Sequence, residues 1–115
     1  MSETNGYATA EVFRGAPRER RIKDEVINGH KFRLQSWTSL ESAKWRARND
    51  EDPDTANERA IILTCATPDG GMLFGEKDLA LLQEMDAGFV NELASACIVH
   101  AAGTVETKKN SAETP

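Results

Sequence analysis

The sequence is poor in the residue types on which small folds with a fixed chemistry are usually built. It holds two cysteines, two histidines, four prolines and seven aromatic residues among 115. Two cysteines cannot make the dense disulfide framework of a small secreted domain. Cys65 and Cys97 both sit in apolar runs with helical spacing, where a free thiol behaves as a small hydrophobe, so a reducing cytoplasm is the expected compartment. Long apolar runs are also lacking. None exceeds four residues, as in Ala60-Ile61-Ile62-Leu63, against the roughly 20 residues that a spanning helix needs. Met1 to Ala10 lacks the apolar core of a signal peptide. No membrane partner is expected.

Catalytic and metal-binding patterns are equally sparse. Cys65, Cys97, His30 and His100 match no zinc spacing. Cys97 and His100, three apart on one helix, can be imagined as a metal or nucleophile pair. The plainer reading is a core thiol beside a histidine that complements the last helical turn. Asp50-Glu51-Asp52-Pro53-Asp54 lacks the calcium-loop pattern of acids with a central glycine and a terminal glutamate. Pro68-Asp69-Gly70-Gly71 is neither a dinucleotide fingerprint nor a phosphate loop with its lysine, and reads as a turn. No serine stands in a nucleophile elbow. The expectation is therefore no catalytic residue, no cofactor and no metal: a protein that is not an enzyme.

What is present is charge, unevenly spread. Residues 1–49 carry ten Lys/Arg against six Asp/Glu, and residues 50–115 carry four against thirteen, for an overall net charge of −5. A basic half followed by an acidic half makes a dipolar chain, suited to self-association or to an oriented partner. Arg14, Arg18, Arg20, Arg21 and Lys23 cluster early, and Lys44, Arg46 and Arg48 flank Trp45. A nucleic-acid-binding or regulatory module would use such cations. Interleaved acids and a pI near 5.0 make nucleic acid the less favoured partner. Arg33, Trp37, Lys44, Trp45 and Arg48 are the candidate partner-binding residues.

The pattern predicts an α+β fold: an N-terminal β-hairpin packed on a small bundle of about four helices, with disordered termini. Residues 1–21 read as a flexible charged arm, in which Ala10 to Phe13 has the apolar content of a short edge strand. Residues 22–103 form one α+β domain, and residues 104–115 a disordered polar tail. Asn28-Gly29 is the two-residue type I′ turn signal of a hairpin. Ile22 and Val26 on one strand, and Phe32 and Leu34 on the next, predict one apolar and one charged face. Thr38-Ser39-Leu40-Glu41 is a capping box that starts a helix running to about Asn49, with Leu40, Ala43 (or Lys44) and Ala47 spaced for one face and Trp45 on its flank. Pro53 bars its continuation. A second, most buried helix is expected from Thr55 to Ala66, and a sharp turn at Thr67 to Gly71. Met72-Leu73-Phe74 then adds a strand or a core plug. A short helix follows from Glu76 to Glu84, with Leu79 and Leu82 inward. Asp86 caps the last helix, Met85 packs on Val90, and the helix runs to about Ala101 with Gly103 as its stop.

One stretch carries more than periodicity. Glu58-Arg59-Ala60-Ile61-Ile62-Leu63-Thr64-Cys65-Ala66, then Pro68-Asp69-Gly70-Gly71-Met72-Leu73-Phe74, then Glu76-Lys77-Asp78-Leu79-Ala80-Leu81-Leu82 resembles the middle of the tail assembly chaperones of long-tailed bacteriophages. The hairpin into Trp37-Thr38 and the helix from Met85 to Ala101 resemble that family's flanking elements. Gly75 departs from the pattern, standing where a serine or threonine usually caps the third helix. The resemblance implies a phage or prophage protein of virion morphogenesis in the bacterial host's cytoplasm. It would bind the tape measure protein, keep it soluble and pass it to tail tube subunits. It also implies a second, longer product made by frameshifting. Lys108-Lys109-Asn110 can be encoded AAA-AAA-AAC, which contains the slippery run A-AAA-AAC.

Overall fold

The computed structural model describes residues 6–15 and 20–102. The expected tail, its Lys108-Lys109-Asn110 and the Gly103 stop lie outside the described residues. The elements in chain order are α1 (Ala10–Gly15), β1 (Ile22–Ile27), β2 (His30–Gln35), α2 (Ser39–Glu51), α3 (Ala56–Thr64), β3 (Cys65–Ala66), α4 (Leu79–Gln83) and α5 (Ala87–Ala102). Single 3-10 turns at Pro53–Thr55 and Glu76–Asp78 lead into α3 and α4. This is the expected α+β fold, with the hairpin extended by β3 into a three-stranded antiparallel sheet of order β1-β2-β3.

The hairpin is set by its turn. Asn28 and Gly29 have φ of 54° and 82°, the two left-handed residues that a type I′ turn requires. A Cβ on Gly29 would touch nothing within 4 Å, so substitution there meets only a backbone penalty. Gly29→Val is expected to lose about 1–2 kcal/mol, read as a lower urea midpoint at unchanged slope. An unchanged midpoint would show that the turn does not hold this geometry in solution.

The same turn overturns the expected division of faces. It pairs Ile27 with His30, and therefore Glu25 with Phe32 and Lys23 with Leu34. Ile27, Phe32 and Leu34 face the core, in company with Lys23 and Glu25. Ile22 and Val26 point the other way and are 47% and 64% exposed. Ile22 and Val26 thus fall on the face opposite Phe32 and Leu34, and Ile27 alone of the β1 aliphatics joins the core, because the two-residue turn fixes the register whatever the hydropathy of the partners.

The core lies between the sheet and α5, with α3 packed on the helix's other flank. Ile27, Phe32 and Leu34 meet Ile61, Ile62, Cys65, Leu82, Val90, Leu93, Ala94 and Cys97 in one cluster. Phe74, Leu79, Met85 and Phe89 close it from the rim, so the Met72–Phe74 segment contributes one plug. Met72 itself is left largely exposed. The Asp86 cap forms as expected, its carboxylate accepting the Phe89 N–H at 3.0 Å. At the 3-10 turn that leads into α4 the Asp78 carboxylate accepts the Gly75 N–H at 2.9 Å, which supplies the cap that a glycine cannot make with a side chain.

Several boundaries differ from the sequence pattern. Ala10–Gly15 is a helix and not an edge strand. Thr9 Oγ1 accepts the Val12 N–H at 3.3 Å, and Glu11 and Arg14 sit at the ends the helix dipole favours. α2 continues past Asn49 to Glu51 and stops at Asp52, whose φ of −144° is extended, as the residue before a proline must avoid the helical region. α3 stops at Thr64, because Cys65 turns extended and pairs with Leu34. Arg20 and Arg21 are tied to the domain. Arg20 reaches Glu41 at 3.0 Å, and Arg21 donates to the Ala101 carbonyl at 3.2 Å.

α2 shows the largest departure. Its expected inner residues Leu40, Ala43 and Ala47 are exposed, and none of its residues is fully buried. The half-buried stripe is Glu41, Trp45 and Asn49, spaced i, i+4, i+8. Each member of that stripe is held by a hydrogen bond. α2 is docked by polar contacts to which a hydrophobic period is blind.

Candidate functional site

The docking of α2 on α3 creates a groove, built from two tryptophans outward. The Trp37 and Trp45 rings pack at 5.1 Å between centroids, tilted by 52°. Trp37 Nε1 donates to Thr64 Oγ1 at 2.7 Å, and that buried hydroxyl donates onward to the Ala60 carbonyl at 2.6 Å. Trp45 Nε1 donates to the Ala56 carbonyl at 3.1 Å. Both indoles thus have a satisfied polar end, and their rings fix the angle between α2 and α3.

Arg59 locks the corner between those helices. Its Nε donates to Thr55 Oγ1 at 2.8 Å, and its Nη2 to Asn49 Oδ1 and the Asp52 carbonyl, both at 2.7 Å. Burial pushes the Arg59 pKa down and the neighbouring Arg48 adds to this, while Asp52 and Glu58 oppose it. At the other end of α2 the capping box forms as expected. Thr38 Oγ1 accepts the Glu41 N–H, and Glu41 Oε1 accepts the Thr38 N–H. Burial by itself raises the Glu41 pKa, but the Thr38 amide and the Arg20 guanidinium outweigh it and hold the carboxyl below the usual range. This contribution to folding is present at neutral pH and fades as the pH falls through the lowered value.

Between these two anchors lies an open cavity of about 370 Å³. Trp45, Ile62, Leu63 and Met72 give it apolar walls, and Lys44, Arg48 and Arg59 give it cations, with Glu41 and Glu76 completing the lining. Leu63 is half-buried because it faces this cavity, whereas Ile62 is buried in the core cluster. Of the five candidate residues read from the sequence, Lys44, Trp45 and Arg48 line the groove and Trp37 supports it from behind. Arg33 is elsewhere. It lies on the outer face of the sheet, and its Nη1 donates to the Pro68 carbonyl at 2.7 Å. The opposite wall, Arg59 with Ile62, Leu63 and Met72, was not among the candidates. The Arg-plus-aliphatic pattern of α3 was the available signal.

The remaining chemical candidates are drawn into structural contacts. Cys65 and Cys97 are buried with their sulfurs 3.8 Å apart. The hydrogen bond to Cys65 and burial push the Cys97 thiol far up, the opposite of an activated nucleophile. His100 Nε2 meets the Arg21 carbonyl at 3.0 Å. Asp69 accepts the Thr67 hydroxyl and the Gly71 N–H, which close the turn and lower its pKa in that order. Among the described residues no three or more His, Cys, Asp or Glu side chains are grouped to hold a metal ion. Among them, too, no helix is long and apolar enough to cross a membrane. Comparison of the chain with protein-family models, with curated proteins and with solved structures found no match.

Proposed function

We propose that this protein is a tail assembly chaperone of a phage or prophage. In this reading it binds a helical stretch of the tape measure protein and keeps it soluble for tail tube assembly. The observation that carries the reading is the groove between α2 and α3, apolar in its walls and lined by three cations. An amphipathic helix lays apolar anchors at i, i+3 or i+4, and i+7 into such a groove. Acidic residues flanking those anchors would meet Lys44 and Arg48, since Arg59 is already bonded to Asn49, Asp52 and Thr55. The sequence resemblance in residues 58–82 supports the same reading, since that stretch builds one wall of the groove.

The alternative, a nucleic-acid-binding or regulatory module, has less behind it. Among the basic residues before α2, Arg20 is paired with Glu41, Lys23 with Glu25, and Arg21 and Arg33 with main-chain carbonyls. Cations held in this way do not present a continuous stripe to a phosphate backbone.

The test is co-expression with the long helical reading frame encoded next to tail tube genes beside this one. The chaperone reading expects that protein to become soluble and to co-purify. Lys44→Glu with Arg48→Glu, both exposed on α2, is expected to weaken the complex about tenfold or more while leaving the fold intact. No gain in solubility and no complex would overturn the chaperone reading. A complex indifferent to the two substitutions would move the binding site away from the groove. A gel shift that weakens steeply with salt would favour the nucleic-acid alternative.

A further inference from the structure

The free edge of β1 presents features that the fold itself does not use. β1 is the outer strand of the sheet, paired only with β2 among the described residues. Arg21, just before it, bonds inward: its carbonyl accepts the Ser36 N–H at 2.9 Å and its N–H donates to Ser36 Oγ at 2.8 Å. In an antiparallel ladder this direction alternates. Lys23, Glu25 and Ile27 therefore bond inward, and the main-chain groups of Ile22, Asp24 and Val26 point to the open edge. Ile22 and Val26 are also the two large apolar residues that the register left exposed.

We propose that β1 pairs antiparallel with β1 of a second copy of this chain, on a two-fold axis through Asp24. Centring on Asp24 uses the residues whose main-chain groups are open. Asp24 faces its own copy, and Ile22 faces Val26 of the second copy, both as hydrogen-bonded pairs. Lys23 faces Glu25 of the second copy in the intervening positions, where antiparallel side chains approach most closely, so the 3.2 Å ion pairs that the two residues make, one within each chain, are exchanged for two across the axis. Both apolar residues find apolar partners, and both Lys–Glu juxtapositions are attractive. Other registers do worse. Centring between Asp24 and Glu25 sets acid against acid, and centring on Glu25 sets Lys23 against Ile27. The acid pair at Asp24 lies on the sheet face that also carries Arg33 and Lys31, and Arg33 is the residue paired with Asp24 on β2.

This contact closes on itself. It makes one continuous six-stranded sheet whose outer strands are the two copies of β3. That strand has only two residues, and Ala66 is already bridged to Met72. Inward-pointing charges on an edge strand otherwise serve to discourage pairing. Here they discourage every pairing except the self-complementary one. The arrangement is isologous, and it is independent of the groove.

The test is sedimentation of the full chain from about 1 to 100 µM, with charge reversals at the edge. The wild type is expected to dimerise. Lys23→Glu alone sets acid against acid twice, and Glu25→Lys alone sets base against base twice. Each is expected to weaken the dimer about tenfold or more. Mixing the two variants restores attraction at both positions, so the mixture is expected to form a heterodimer. The double swap on one chain, Lys23→Glu with Glu25→Lys, is expected to dimerise as the wild type does and gives the answer without relying on either single variant. A monomeric wild type would overturn the proposal. So would a dimer indifferent to the single reversals, a double swap that stays monomeric, or open-ended growth in place of a dimer.

Discussion

Leu93→Ala is expected to cost this fold about 2–5 kcal/mol. Leu93 is fully buried at the centre of α5, a helix that packs on the sheet and on α3 together. Its side chain belongs to the cluster that joins Ile27, Phe32 and Leu34 to Ile61, Leu82 and Cys97. Truncation therefore opens a cavity walled by both layers, and neither can collapse inward without pulling away from the other. A domain of this size has a total stability of about 5–15 kcal/mol, so the loss is a large part of the whole. It should lower the urea midpoint without changing the slope. Leu81→Ala is the control: Leu81 is 46% exposed, and a change within about 0.5 kcal/mol is expected there. A comparably small loss at Leu93 would mean that α5 does not pack as described.

The elements legible in the sequence were those fixed by a few neighbouring residues. The Asn28-Gly29 turn, the Thr38–Glu41 capping box and the Asp86 cap each need only backbone geometry and one or two side chains, and all three formed. The helical period also placed Ile61 and Leu93 correctly, because both sit mid-helix in the deepest layer, but it put Leu63 in the same core, whereas Leu63 is half-buried and lines the groove. What escaped was whatever depended on a partner distant in sequence. Cys65 continues the apolar run of α3, yet pairing with Leu34 draws it into a strand. The outward direction of Ile22 and Val26 follows from counting across the turn and not from hydropathy. The stripe Glu41, Trp45 and Asn49 is mostly polar, so the apolar positions Leu40, Ala43 and Ala47 misdirected the reading of α2. The groove was half legible for the same reason. Lys44, Trp45 and Arg48 stand on a single helix and declare themselves by spacing. Arg59, Leu63 and Met72 join them only once α2 has docked on α3.

Arg59→Ala is the substitution expected to undo that docking, at a cost of about 2–3 kcal/mol. Arg59 makes three charge-assisted hydrogen bonds to three different parts of the corner: Asn49 in α2, the carbonyl of Asp52 at its end, and Thr55 before α3. A charged hydrogen bond contributes about 1.5–3 kcal/mol when shielded, and less when water can replace the donor. Arg59 is only part-buried, so the three together are set near the middle of the range for one. The guanidinium also lies where the last carbonyls of α2 concentrate negative charge, a place that favours a cation. Arg59→Lys separates geometry from charge. A lysine keeps the cation but replaces the planar fork with a single ammonium, which cannot reach all three acceptors at once. It is expected to recover less than half of the loss. The Trp37–Trp45 pair reports the event through its combined emission, since Trp45 bonds to Ala56 across the same corner. In the alanine variant its emission should shift to longer wavelength under native conditions, before global unfolding. Full rescue by lysine would show that charge alone holds the corner. A loss below about 0.5 kcal/mol with unshifted emission would show that the tryptophan pair alone fixes α2 on α3 and that Arg59 is left to serve the groove's occupant.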